Sequence, residues 1–230
     1  MEAFAAILAR QCKRAYLDEP VPAALLAEVL RAAAHAPSTR NGQPWRVEVA
    51  AGECRQRLAT RLLAEFDRGA PTRPDYPNRM AADDPAIAAR AVDANKGVLL
   101  AKGYRSPDKA ARREHLRDNM NFYGAPVELV FHLPAGAPAG WFLETGFFLQ
   151  NVMLGLVAAG LGSCPQFSVA GYPDAIREVL ELGPGRIVVC GLAVGHPDES
   201  AAVNRYRPGR AELDEYVRWH GQTPLATVTG

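Results

Sequence analysis

Two stretches of this sequence concentrate side chains that can hold a polar ligand. The first is Ala34 to Trp45, AHAPSTRNGQPW, in which Ser38, Thr39, Asn41 and Gln43 set four neutral hydrogen-bonding side chains within six residues, between Pro37 and Pro44. The prolines restrict the backbone on either side, and hydroxyl and amide groups both donate and accept. Such a loop can read the polar edge of a flat heterocycle. The same residues also suit a helix stop and turn, for which Pro, Ser, Asn and Gly are ordinary choices. The second stretch is the basic knot Arg10-Gln11-Cys12-Lys13-Arg14. Arg10 and Arg14 would share one side of a continuing helix, and each guanidinium is a planar fork of donors that matches phosphate oxygens. A solvated basic turn is the plainer alternative. The tail holds a second arginine cluster, Asn204-Arg205-Tyr206-Arg207-Pro208-Gly209-Arg210.

The elements that must position these groups follow from periodicity. Phe4, Ile7 and Leu8 give one apolar face to a short first helix that runs into the knot. Pro22 opens a second helix where its missing N–H costs little, and Leu25, Leu26, Val29, Leu30 and Ala33 form its apolar stripe. That helix delivers the polar loop, and Arg46 to Val49 alternates as a strand. Residues 53 to 68 read as an amphipathic helix through Leu58, Leu62, Leu63 and Phe66, and prolines at 71, 74, 77 and 85 with Asp83-Asp84 then mark an irregular excursion. Ile87 to Met120 reads as helical in two pieces broken near Ser106-Pro107, and Asn119 to Pro126 leads through a Gly-Ala-Pro turn into a buried strand, Val127 to Leu133. Pro173 to Leu182 suggests a short helix, and Arg186 to Gly195, RIVVCGLAVG, is continuous enough to be the central strand. A polar helix or extended arm to Trp219 follows.

Residues 138 to 160 are apolar on almost every side, the pattern of a membrane span or of a helix buried in protein. Glu144, Gln150 and Asn151 would be costly in lipid, and Gly146 and Gly155 suit close packing. The segment therefore reads as a central helix buried in part by a second subunit. Its ending, Gly160-Leu161-Gly162-Ser163-Cys164-Pro165-Gln166, is not a dinucleotide fingerprint, because it follows a helix and lacks the third glycine. It reads as a helix cap whose following backbone N–H groups could face a ligand.

A chain of 230 residues, 48% hydrophobic and 22% charged, suits a single globular domain. A net charge of +1 gives no global pull toward nucleic acid or an anionic membrane, so an anion must be met by a local arginine cluster. Cys12, Cys54, Cys164 and Cys190 form no CxxC pair, which argues against a zinc site or a secreted disulfide scaffold and for a reduced, cytoplasmic setting. Glu2 precedes the apolar residues and the basic ones follow, the reverse of a signal peptide. His35, His115, His132, His196 and His220 form no paired arrangement and read as surface or packing residues.

Taken in order, Arg10-x-Cys12-x-Arg14, Ala36-Pro37-Ser38-x-x-Asn41-x-Gln43-Pro44-Trp45, Gly160-Leu161-Gly162-Ser163-Cys164-Pro165-Gln166, Val194-Gly195-His196-Pro197 and Arg207-x-x-Arg210 resemble the FMN-dependent nitroreductase family over roughly residues 7 to 215. Asn119 to Pro126 and the Cys-Pro-Gln ending further resemble its nitrobenzoate-reductase-like branch. The resemblance implies an α+β fold, with a mixed, mostly antiparallel sheet flanked by helices, in an intertwined homodimer that holds two FMN molecules at its interface. It implies one domain over 1 to 230, with a pocket-covering excursion at about 69 to 123 and a C-terminal arm at about 203 to 230. Arg10, Arg207 and Arg210 would hold the FMN phosphate, Arg14 would reach its phosphate, ribityl or pyrimidine side, and Gln11 and Cys12 would line the same knot. Pro37, Ser38, Thr39, Asn41 and Gln43 would face the flavin from the partner subunit, with Pro165, Gln166 and Phe167 by the ring's reactive edge.

The implied chemistry is a ping-pong cycle at the flavin N5. NADH or NADPH gives a hydride, and a nitroaromatic or quinone then takes its place, with no obligate catalytic side chain. Two departures stand out. Cys12 occupies a position where the family usually has serine, and the region Pro71 to Tyr104 matches poorly, leaving Tyr76, Tyr104, Phe122 and Tyr123 as candidates for stacking on an acceptor. A specialised member (flavin fragmentation, reductive dehalogenation or ring dehydrogenation) and a flavin-binding protein without turnover are the alternatives.

Overall fold

The computed structural model describes residues 1–78, 84–105 and 108–221, which include the four strands β1 (Arg46–Ala51), β2 (Val127–Pro134), β3 (Gly162–Gln166) and β4 (Arg186–Gly195). They form one sheet in the order β1-β2-β4-β3, and every ladder in it is antiparallel. Among the described residues, the mixed character expected of the sheet comes down to a single parallel bridge, Cys12 to Ser163. β4 is interior, as its continuous apolar run requires, because a strand covered on both faces has no side to leave polar.

The segment Gly162 to Gln166, expected to be a turn beyond a helix cap, is instead strand β3. Gly160, at φ +76°, does reverse the chain as a left-handed glycine can. The reversal needs only two residues, so Gly162 already faces Gly195 and the pairing continues to Gln166 opposite Gly191. Pro165 is tolerated because β3 is an edge strand.

Nine helices flank the sheet: α1 (Ala3–Ala9), α2 (Ala23–Ala33), α3 (Gly52–Asp67), α4 (Pro85–Ala101), α5 (Lys109–Met120), α6 (Ala139–Ala158), α7 (Pro173–Leu180), α8 (Ala202–Arg205) and α9 (Leu213–Tyr216), counted among the described residues. On one face, Leu26 and Val29 of α2 and Phe148, Val152 and Leu156 of α6 pack against Leu129, Phe131, Leu133 and Leu192. Trp45 stacks flat on Phe148, with ring centroids 4.9 Å apart. The helix apolar enough to cross a membrane by length and composition is thus a core helix on that face. On the other face, Leu58, Ala59 and Leu62 of α3 and Ile176 of α7 cover Val130, Val188 and Ala193.

Within that second layer lies Glu128, fully buried on β2, whose carboxyl is pushed well above its ordinary pKa, first by burial. A Cβ at Gly191 would stand 2.0 Å from Glu128 Oε1 and 2.7 Å from Val169 Cγ2. Gly191→Ala is therefore expected to cost about 1–3 kcal/mol by overpacking. Denaturant midpoints measure the loss, and an unshifted midpoint would contradict this packing.

The excursion after α3 is pinned rather than loose. Asp75 Oδ2 accepts hydrogen bonds from Arg177 Nη2 at 2.5 Å and from the Val188 backbone N–H at 2.8 Å, and Arg73 N–H bonds Gly171 O. Asp84 caps α4 by accepting from Ala86 and Ile87 N–H. Asp83, the expected break at Ser106-Pro107, and the arm beyond residue 221 lie outside the described residues. α4 ends at Ala101 and α5 begins at Lys109, on either side of that expected break.

Candidate functional site

α1 stops at Ala9, and Arg10 already has extended backbone at φ −60°, ψ 121°, so the knot is not helical. It runs as an extended strand alongside β3, where Lys13 N–H donates to Ser163 O at 3.0 Å. Side chains of an extended chain alternate, so Arg10, Cys12 and Arg14 still share a side while Gln11 and Lys13 turn to the other. Gln11, expected at the cofactor with its neighbours, donates its Nε2 hydrogen to the Asn204 carbonyl instead. Lys13 is buried, 2.7 Å from both Glu199 oxygens. A cleft of about 430 Å³ lies on this side, lined by Gln11, Lys13, Asn204, Arg205 and Arg207 among others.

Asn204 organises the knot and was not singled out from the sequence. It is fully buried. Its Oδ1 accepts from Arg14 N–H at 2.7 Å, and its Nδ2 donates to Ala15 O at 2.7 Å and Asp198 O at 2.9 Å. One side chain therefore sutures the N-terminal strand to the C-terminal tail. Its only sequence signal was its place at the head of the second arginine cluster, where asparagine reads as a turn residue. Of the two tail arginines expected at the phosphate, Arg207 is exposed and donates to Leu8 O at 3.2 Å, close to Arg10 in the chain. Arg210 is exposed and folds onto its own backbone, at Pro208 O and Gly209 O.

On the arginine side, the Cys12 thiol has its pKa held well below the ordinary thiol value, first by the neighbouring Cys164 thiol and, against the cost of burial, by Arg14 and Arg10. Cys164, fully buried, is pushed the opposite way. Arg14 lowers the Tyr123 hydroxyl's pKa against the larger upward push of burial, and its Nε is buried without a hydrogen-bond partner among the described residues. Tyr123 in turn lies under Lys102, 5.4 Å from its ring centroid, and stacks on His115 at 5.8 Å. Arg14, Tyr16, Asp118 and Tyr123 help to line a further cleft of about 330 Å³.

Of the other aromatic candidates, Phe122 is fully buried beneath the Arg55 guanidinium, 5.1 Å from its ring centroid, where no acceptor could stack on it. Tyr76 donates to Val189 O at 2.7 Å and packs on Phe142, so it fastens the excursion to β4. Tyr104 is half-buried beside Glu114. An apolar cleft of about 350 Å³ opens beside Phe167, with walls that include Phe66, Pro74, Asn78, Leu116 and Met120, residues that periodicity had assigned to helix faces and loop. Gln166, nearly fully buried, ties β3 to the end of α5 by donating from Nε2 to Asn119 O and Oδ1, at 2.7 and 2.6 Å. Pro165 is half-buried and Phe167 exposed.

The polar loop is tightly wound: Arg40, Asn41 and Gln43 have φ of 52°, 55° and 46°. Left-handed backbone costs a non-glycine residue roughly 1–2 kcal/mol, so three such residues persist only if the surroundings fix them. Gln43 N–H donates to Ser38 Oγ at 3.0 Å and Gln43 Nε2 to Asn41 Oδ1 at 3.1 Å, while Thr39 N–H donates to Glu144 Oε1 at 2.8 Å. Pro37, Thr39 and Asn41 are exposed at its rim, with Ser38 and Gln43 half-buried. Glu144, read from the sequence only as a polar group on a buried helix, is the loop's anchor on α6. Its Oε2 is buried with no hydrogen-bond partner among the described residues. Glu144→Leu should release a charge-assisted hydrogen bond worth about 1.5–3 kcal/mol, whereas Glu144→Gln keeps an acceptor. Hydrogen exchange at the Thr39 amide reads the difference, and equal protection in all three proteins would contradict the anchor.

Comparisons with known proteins bear on the fold and the family. The chain is 34% identical over 210 residues to the chloronitrobenzene nitroreductase of Comamonas testosteroni, spanning 90% of this chain and 92% of that protein. It is 34% identical to the 4-nitrobenzoate reductase of Pseudomonas putida, spanning 94% and 95%. Among solved structures, the FMN-dependent nitroreductase NfnB from Mycobacterium smegmatis, in complex with NADPH, superposes with a TM-score of 0.89 at 31% identity, covering 95% of this chain and 97% of that one. The FMN and NADPH-dependent NfnB from sphigopyxis sp. strain HMH superposes at 0.93 and 35% identity, covering 96% and 100%. The sequence model of the Nitroreductase family matches residues 7–196. With its knot, polar loop and edge strand in one fold with these proteins, the chain belongs to the Nitroreductase family.

Proposed function

We propose that this protein is an FMN-dependent NAD(P)H oxidoreductase that reduces nitroaromatic acceptors by a ping-pong cycle, with quinones as further acceptors. The observation that carries the reading is Arg14: a half-buried guanidinium whose Nε–H has no acceptor among the described residues, on the same side of the knot as Arg10 and Cys12. A buried donor left unpaired is costly, and a phosphorylated, polar-edged cofactor offers the acceptors it lacks. FMN, when bound, would supply the hydride chemistry. The chain's own part is to hold and orient it. Arg10, Arg14 and Arg207 would take its anionic and polar side, Cys12 would lie against it, and Pro165 and Gln166 on β3 with Phe167 just beyond it would border the ring. Gln11 fixes the knot to the tail and contributes its backbone only.

We place the partner's loop, Pro37 to Gln43, on the opposite face of the cofactor, in a homodimer. Within one chain the loop is anchored to α6 and the knot to β3 and the tail, so the two halves of the site are held separately. Apolar side chains supporting such an interface are exposed on α1, with Phe4 at 82% and Leu8 at 75%, and on α6, with Leu143 at 62%. The cleft beside Phe167 suits an aromatic acceptor, since its walls are largely apolar with Asn78 at the rim. The four free cysteines fit a reducing, cytoplasmic setting. The test is turnover: purified protein with NADPH or NADH should convert 4-nitrobenzoate to its hydroxylamine, with parallel double-reciprocal lines. Bound flavin with no consumption of any nitroaromatic or quinone would favour a flavin-binding protein without turnover.

A further inference from the structure

Cys12 and Cys164 stand 152 positions apart in the sequence, yet a parallel bridge sets them on neighbouring extended segments. Cys12 bridges Ser163, the residue beside Cys164, and both cysteines join the apolar layer that covers the second face of the sheet. Both are free thiols, Cys12 half-buried and Cys164 1% exposed. Around them lie Arg10 and Arg14 from the knot, Tyr16, Tyr123 and Glu128. Serine at position 12 could form no such pair.

We propose that Cys12 and Cys164 are a redox-modification site: in the cofactor-free protein a peroxide oxidises them to a disulfide, and bound FMN shields them. This rests on the cofactor reading above. The Cys12 thiolate, favoured by the flanking guanidiniums, attacks one peroxide oxygen; the O–O bond breaks, giving a Cys12 sulfenic acid and hydroxide, which takes up the proton the thiol released. The Cys164 thiol then attacks the sulfenic sulfur, the S–S bond forms and water leaves. Two thiols lose two electrons in all, and one hydrogen peroxide becomes two waters. Cys12 is the half-buried partner that peroxide can reach, and Cys164, buried behind it, is the resolving thiol. Cys54 and Cys190 take no part.

The experiment treats FMN-loaded and FMN-stripped full-length protein with hydrogen peroxide, blocks remaining thiols with N-ethylmaleimide and maps the peptides. The expected result is a Cys12–Cys164 crosslink in stripped protein that dithiothreitol reverses, formed at least tenfold more slowly with FMN bound. Cys12→Ser should abolish it, and Cys164→Ser should leave a Cys12 sulfenic acid that dimedone traps. Four alkylated thiols in peroxide-treated stripped protein, or Cys12 oxidised to sulfinic acid without crosslinking, would overturn the proposal, as would equal rates with and without FMN. A protein that retains FMN stoichiometrically but forms no crosslink sinks the thiol pair alone. One that never retains FMN sinks the cofactor reading instead.

Discussion

Asn204→Leu is expected to destabilise the protein by at least about 3 kcal/mol and to strip it of cofactor. Three part-buried hydrogen bonds end on this side chain, from Arg14 N–H and to Ala15 O and Asp198 O. Leucine is close in size, so the cost is not a cavity. It is the stranding of one donor and two acceptors of half-buried residues against a fully buried side chain, each worth about 1–3 kcal/mol when left unpaired. These penalties are not additive, because the strand can shift to recover water. The same shift would move Arg14, so flavin content should fall with stability. Chemical denaturation should give a lower midpoint with an unchanged slope, and a loss under about 1 kcal/mol with full flavin retention would show that the suture is dispensable.

Arg14→Ala should leave the fold standing and weaken FMN binding by about 10–100-fold. The range follows from one lost charge-assisted hydrogen bond at about 1.5–3 kcal/mol, with about 1.4 kcal/mol for each tenfold. Arg14→Lys should recover part of the loss, since it restores charge without the planar fork. Arg207→Ala should cost less. Arg207 is exposed and already donates to Leu8 O, so its contribution is screened by water and salt. Equilibrium dialysis of flavin at several salt concentrations separates the two. A larger loss from Arg207 than from Arg14 would reverse the ranking of the site's groups.

Strands and helices with one strong periodic signal were legible in advance. β4 declared itself by ten residues with hardly a polar side chain, and α2 by its stripe. The segment GSCPQ was not legible as β3, because glycine and proline mark turns locally and only pairing with β4 makes a strand of them. The knot's chemistry was readable but its conformation was not: periods of two and of four both place Arg10 and Arg14 together, and the choice decides where Gln11 goes. Phe122 looked available for stacking because sequence gives residue type without burial. The roles of Asn204 and Glu144 were not legible, for a shared reason. Each acts through backbone groups distant in sequence, Arg14 N–H 190 positions away and Thr39 N–H 105 positions away, and backbone partners leave no mark on composition or spacing.

The polar loop, the arginine knot and β3 have a common purpose only if a flavin held among them passes electrons from a nicotinamide to a nitro group. An anaerobic titration in two stages tests that directly. The expected result is a yellow protein that bleaches on one equivalent of NADPH or NADH per flavin and regains its colour on adding 4-nitrobenzoate, with hydroxylaminobenzoate as product. A protein whose bound flavin stays oxidised with both nicotinamides, or whose bleached form fails to recolour with any nitroaromatic or quinone, would contradict it.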